Sequence, residues 1–142
     1  MNFGILCNGN IFQKWQIEAI RLLIENGHSC KLLIVNANPV RSPKFGQKLF
    51  KYPYSKALCR FWFRFMIKPD AKKQVDISGY YPDIPAISCL TTSRGISEYF
   101  ENQDIVKIKA LNLDFMLRFG FGIIKGDILD AAKYGVWSYH HD

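Results

Sequence analysis

Residues Ser138 to Asp142 read SYHHD, and they follow the apolar pair Val136-Trp137. A short strand would therefore deliver a hydroxyl, two imidazoles and a carboxylate at its end. An imidazole gives or takes a proton near neutrality, because its unperturbed pKa is about 6.5. A metal centre built from His140, His141 and Asp142 is a poor fit, since consecutive residues of an extended chain point to opposite faces. No metal is expected. A second polar group stands near the other end of the chain, where Asn8-Gly9-Asn10 follows the apolar run Phe3 to Cys7. Both stretches lie beyond the carboxyl end of a strand, which is the edge at which open parallel sheets bind ligands. Asn8 and Asn10 are thus candidate substrate-binding residues. No GxGxxG or P-loop spacing accompanies them, which disfavours a dinucleotide-dependent dehydrogenase and a P-loop hydrolase.

These residues need elements to hold them. FGILC is too short for a helix before NGN and reads as a buried strand, with NGN as a turn. Ile17, Ile20, Leu23 and Ile24 then share one helical face, with Asn10 as N-cap, Gln13 three residues on, and Asn26-Gly27 as the stop. KLLIV follows as a second strand, completing a βαβ unit on a parallel sheet. Further along, IPAISCL reads as a third strand, GISEYFEN as a short helix and IVKIKAL as a strand or sheet edge. LDFMLRF is an apolar run typical of a strand buried on both faces. Gly126-Asp127 is expected to open a helix carrying Ile128, Leu129 and Ala132 and stopping near Gly135, before VWSY as the final strand. The fold class expected is α/β: a Rossmann-like, open, mostly parallel sheet flanked by helices, formyltransferase-like in the sense given below and incomplete.

The interval from Pro39 to Ile84 reads differently. Three prolines and a glycine in NANPVRSPKFGQKLFKYP predict loop, and Ser55 caps a helix, SKALCRFWFRFMIK, that Pro69 ends. Lys56, Arg60, Arg64 and Lys68 recur every fourth residue and so form one basic stripe, with Leu58, Phe61, Trp62, Phe65 and Met66 around it. The chain carries a formal net charge of +7 over 142 residues, and much of the excess falls between Arg41 and Lys73. Such a charge favours a phosphorylated, polyanionic or membrane-surface partner without choosing among them. The domain expectation is a single unit over 1–142 with a basic, aromatic helical insertion near 45–70.

Cys7, Cys30, Cys59 and Cys89 stand singly, with no CxxC pair, which fits buried reduced thiols in a cytoplasmic protein. There is no apolar run long enough to span a membrane, and the first ten residues lack the pattern of a secretory signal.

The stretch LDFMLRFGFGIIKGDILDAAKYGVWSYHHD resembles the core of the formyltransferase family that includes methionyl-tRNA, glycinamide ribonucleotide and sugar N-formyltransferases. In that family a strand leads into an aromatic-Gly segment, then a helix that ends at Gly, then a strand that delivers an Asn-x-His pair. The opening βαβ unit, with ENGHSCKLLIV at its second turn, is similar too. The resemblance covers the two ends and leaves 39–84 unexplained. It implies transfer of a formyl group from 10-formyltetrahydrofolate to a small-molecule amine. His140 would be the catalytic histidine and Ser138 would stand in the place of the family's Asn. Phe119, Gly120, Phe121, Gly122, Ile123 and Ile124 would line the folate pocket. Preorganised donors at the oxyanion are what such a reaction needs.

Two departures accompany it. A serine hydroxyl is shorter than an amide, and the family's catalytic Asp lies further along than Asp142. The expectation is accordingly a truncated N-terminal catalytic domain, inactive as this fragment, with an exposed sheet edge through which it self-associates. The basic region favours a phosphorylated sugar or sugar nucleotide over tRNA, and no specific nucleic-acid motif is present. The alternative is a non-catalytic anion-binding module that uses the helix 55–68 to hold a phosphorylated ligand, nucleic acid or a membrane surface.

Overall fold

The computed structural model describes residues 1–39 and 70–139. The expected basic helix 55–68, Cys59, and the terminal His140, His141 and Asp142 lie outside the described residues.

A five-stranded parallel sheet organises the molecule. In chain order its strands are β1 (Asn2–Cys7), β3 (Ser29–Asn36), β5 (Ala86–Cys89), β8 (Phe115–Arg118) and β10 (Val136–Ser138), and in space they run β10-β8-β1-β3-β5. The first strand is therefore central. The chain winds outward from it to β5, then returns to its other side for β8 and β10. Two α-helices lie among the described residues, α1 (Lys14–Glu25) and α2 (Asn102–Lys109).

The period of two along β1 explains the layers. Phe3, Ile5 and Cys7 share a core cluster with Ile17 and Ile20 of α1, Leu33 and Phe115. Leu6 points the other way, into a cluster with Ile34, Met116 and the Ile105 and Ile108 of α2. The two helices thus cover opposite faces, and β1 is apolar from Phe3 to Cys7 because neither face meets water there. Burying each such side chain contributes about 1.5–3 kcal/mol. A Cβ at Gly4 would lie 2.9 Å from Leu113 Cδ1, so that buried side chain would have to shift to admit one.

Helix α1 ends as its sequence predicts. Gly27 takes φ +82, its N–H meets the Ile24 carbonyl at 3.0 Å, and His28 N–H meets the Leu23 carbonyl at 3.0 Å, which is a Schellman closure. Its start differs from the expectation. Residues Ile11–Gln13 form a short strand, β2, paired antiparallel with β4 (Gln74–Asp76), and this holds Asn10 out of the helix. Gln13 is the N-cap instead, with its side chain and that of Gln16 closing a reciprocal capping box.

Three further expectations are corrected. GISEYFEN is not a helix: Thr91–Arg94 (β6) and Ser97–Phe100 (β7) make an antiparallel hairpin turned at Gly95, φ +63. Ile123–Lys125 (β9) adds to β7 in parallel, giving a small second sheet of order β6-β7-β9. IVKIKAL lies in α2 rather than in a strand, because Asp104, Ile105 and Ile108 fall on one buried helical face. The helix expected after Gly126 shortens to one 3-10 turn, Asp127–Asp130, in which Ile128 is buried while Leu129 stays 40% exposed.

Candidate functional site at the carboxyl edge of the sheet

The carboxyl ends of β1, β3, β8 and β10 form one edge, and Asn8 is the joint between the first three. Two observations show how tightly β8 is sewn to β1 there. The N–H groups of Phe119 and Gly120 both meet the Leu6 carbonyl at 2.8 Å. The backbone of Cys7 and Asn8 then fills the place of a Gly120 Cβ, with Cys7 C at 2.5 Å and Asn8 N at 2.6 Å. Only glycine permits that approach.

Asn8 continues the seam with its side chain. Its Oδ1 accepts the Phe121 N–H at 3.0 Å and the Asn36 Nδ2 at 3.3 Å. A backbone N–H can be met only by oxygen, so the amide orientation is fixed and Nδ2 faces the other way. Phe121 itself sits at φ +64, a conformation that costs a bulky L-residue about 1–2 kcal/mol. The bond from Asn8 and the packing of its ring on Phe100, 5.0 Å between centroids, hold it there. The Arg118 guanidinium caps the same turn by donating to the Gly122 carbonyl.

From Asn36 the network runs on. Its Oδ1 accepts the Asn38 N–H at 3.0 Å, Asn38 Nδ2 donates to Thr91 Oγ1, and Thr91 N–H returns to Asn38 Oδ1 at 3.3 Å. Thr91 Oγ1 then donates to Glu98 Oε2 at 3.4 Å. These residues, with Pro39, Ser93, Phe121 and Gly122, line a cavity of about 640 Å³. The hairpin β6–β7 supplies its outer wall, and the ends of β1 and β3 supply its floor.

A second cavity of about 890 Å³ opens on the α1 face. It runs between α1 and the β8–β10 pair and is lined largely by aromatic and aliphatic side chains. Phe119 meets Trp15 edge-on at 5.5 Å, Trp15 lies 5.2 Å from Tyr139, and Trp137 stacks on Phe115 at 4.6 Å. Ser138, exposed at the end of β10 and in register with Arg118, borders this cavity. The His28 Nδ1 at its far end is buried without a hydrogen-bond partner.

The candidate residues therefore divide. Asn8, Phe121 and Gly122 line the polar cavity, and Phe119 and Ser138 line the apolar one. Gly120 is at the seam, Ile124 is core, and Ile123 is 48% exposed on β9. Asn10 lines neither: its Nδ2 donates to Ser78 Oγ at 3.1 Å and its carbonyl accepts the Ile77 N–H, so it fastens the chain leading to β5. Sequence reasoning passed over Asn36, Asn38, Thr91 and Glu98. The signal was VNANP, two asparagines at the carboxyl end of a parallel strand.

The three thiols among the described residues are chemically quiet. Burial pushes Cys7 up to about 11 and Cys30 and Cys89 up to about 12, which withholds the reactive thiolate at neutral pH. No group of three or more His, Cys, Asp or Glu side chains that could hold a metal ion occurs among the described residues, and no helix among them is long and apolar enough to cross a membrane.

No protein-family model matches the chain, and no curated protein matches it.

Proposed function

We propose that the chain is a Rossmann-like, formyltransferase-type domain that transfers a formyl group from 10-formyltetrahydrofolate to an amine. The observation that carries this reading is the adjacency of β1, β8 and β10 in one parallel sheet. Their carboxyl ends bring Asn8, the Phe119–Ile124 turn and Ser138 to a single edge, and the chain order is that of a doubly wound sheet whose winding reverses beside β1. Ligands of such sheets bind at that reversal.

The folate-type donor suits the apolar cavity. A flat heteroaromatic ring with polar edges matches walls of Trp15, Phe119 and Tyr139 next to the Ser138 hydroxyl, and about 890 Å³ is a volume typical of small-ligand sites. When bound, 10-formyltetrahydrofolate supplies the formyl carbon. The chain's own contribution is positioning and proton handling. Phe119 and Trp15 exclude water from one side of the reacting centre. Ser138 Oγ–H donates one hydrogen bond toward the oxygen on which charge develops. His140, two residues beyond Ser138, takes the proton from the attacking amine and gives it to N10 of the departing tetrahydrofolate as the formyl carbon–N10 bond breaks.

The test is binding before turnover. 5-Formyltetrahydrofolate, a stable analogue of the donor, is titrated into the full chain and followed by tryptophan fluorescence and calorimetry. Saturable binding that weakens about tenfold in Phe119→Ala is expected. Absence of saturable binding refutes the reading, as does an amine-dependent formyl transfer that His140→Ala leaves at full rate.

A further inference from the structure

We infer that Arg118 is a further catalytic residue of the proposed reaction, its guanidinium holding the oxygen on which negative charge develops. For the reaction the inference rests on the formyl-transfer reading; for the anion site it rests on the geometry of the sheet edge.

The period of two along paired strands sets the place of this side chain. Leu6, Met116 and Val136 pack in the cluster on the α2 face. Arg118 and Ser138, two residues beyond Met116 and Val136, therefore lie on that same face. They are register partners on adjacent strands, and Arg118 is also the partner of Leu6 on central β1. Its guanidinium donates to the Gly122 carbonyl. Gly122 lines the polar cavity and Ser138 borders the apolar one. One side chain thus joins the rims of the two cavities, where a formyl donor held in one would meet an amine held in the other.

The chemistry of the group follows from what it leaves unused. Arg118 is half-buried at the end of a strand whose Phe115 and Met116 are fully buried. A guanidinium is always charged and carries a planar fork of N–H donors, of which Gly122 takes one from Nη1. No other acceptor and no ion pair engages Arg118 among the described residues. Glu98 lies against Gly122 but takes the Thr91 hydroxyl instead, and the interval 40–69 contains no Asp or Glu. Such a fork binds an oxyanion more strongly than a neutral carbonyl, so its effect grows as charge develops. The Ser138 hydroxyl can add one hydrogen bond and no charge. As the amine nitrogen bonds to the formyl carbon, the carbonyl electron pair moves onto oxygen, where Arg118 meets it. The pair then returns, the carbon–N10 bond breaks, and His140 passes the amine proton to N10.

The experiment uses the full 142-residue chain and has two arms. In the first, formate, the one-carbon oxyanion, is titrated while the side-chain nitrogen NMR signal of Arg118, identified by its loss in Arg118→Lys, is followed. A saturable shift is expected. In the second, formyl transfer from 10-formyltetrahydrofolate to methylamine should fall about 100-fold in Arg118→Gln, while 5-formyltetrahydrofolate binds that variant within about twofold of the parent. Millimolar guanidinium should restore part of the rate to Arg118→Ala. A role confined to capping the Gly122 turn would instead lower rate, binding and unfolding midpoint together and would not respond to guanidinium. The inference is overturned if formate leaves the Arg118 signal unmoved, if Arg118→Gln transfers at the parent rate, or if its rate falls only in proportion to binding. A formate shift in a chain that neither binds 5-formyltetrahydrofolate nor transfers formyl removes the formyl-transfer reading and leaves the anion site standing. Binding of 5-formyltetrahydrofolate with a silent Arg118 removes this inference alone.

Discussion

Replacing Gly120 by alanine tests whether the seam between β1 and β8 is as rigid as its geometry requires. The added Cβ would stand 2.5 Å from Cys7 C, 2.6 Å from Asn8 N and 2.7 Å from Asn8 Oδ1, where ordinary contact begins at 3.4 Å. Two of those three atoms are backbone on the central strand, so the Phe119–Gly122 turn must retreat by roughly 0.7–0.9 Å. Retreat lengthens the 3.0 Å bond from Phe121 N–H to Asn8 beyond useful range. Overpacking of this kind costs about 1–3 kcal/mol and the broken bond about 1 kcal/mol more, for a total of about 2–4 kcal/mol. Gly122→Ala is the control, since its Cβ would meet only the movable end of Glu98 at 3.0 Å, and its cost should stay below about 1 kcal/mol. Equilibrium urea unfolding followed by far-ultraviolet ellipticity reads both. A Gly120→Ala chain within about 0.5 kcal/mol of the parent, or no less stable than Gly122→Ala, would refute the reasoning.

Other expectations follow from the same geometry. Asn8→Ala removes the acceptor of the Phe121 N–H and should lower stability by about 0.5–1.5 kcal/mol, whereas Asn8→Asp, which keeps the acceptor, should come close to the parent at neutral pH in the same unfolding assay. Phe115, stacked between Phe3 at 5.4 Å and Trp137 at 4.6 Å and 1% exposed, should cost about 3–5 kcal/mol as alanine. The raised thiol pKa values set an alkaline limit. The unfolded state loses its thiol protons from about pH 9 while the folded state retains them to about 11 for Cys7, so stability should fall as pH rises through that window and not below it. In a Cys59→Ser chain the three remaining thiols should react slowly with a disulfide reagent at pH 8 and at once in urea; fast reaction in the folded state would contradict their burial.

The parallel core was legible because its signals are local and unambiguous. FGILC, KLLIV and LDFMLRF are apolar on both faces, and Asn26-Gly27 can hardly be anything but a helix end. The misreadings fall where short segments carry two periods at once. In IVKIKAL the spacing of Ile105 and Ile108 suits a helix, while the intervening lysines mimic alternation, and the tertiary contact with Leu6 and Met116 decides the matter. SEYF is equally short, and it becomes a strand because β6 and β9 flank it. The site was half legible for a related reason. Position after a strand singles out Asn8, but nothing in the local sequence tells that Asn10 will be turned away by β2, or that Thr91 and Glu98 will be folded over Asn38.

The bond between Asn8 and Phe121 joins residues 113 positions apart. During synthesis the opening βαβ unit emerges first, and one edge of β1 is satisfied by β3 while the other waits for β8. Until β8 is made, the central strand of the sheet is an open, apolar edge, the kind of surface on which nascent chains associate with one another. Slow passage through the codons before Phe115 would lengthen that exposure. The yield of soluble protein should therefore depend on how quickly the ribosome covers this interval as much as on the stability of the folded molecule.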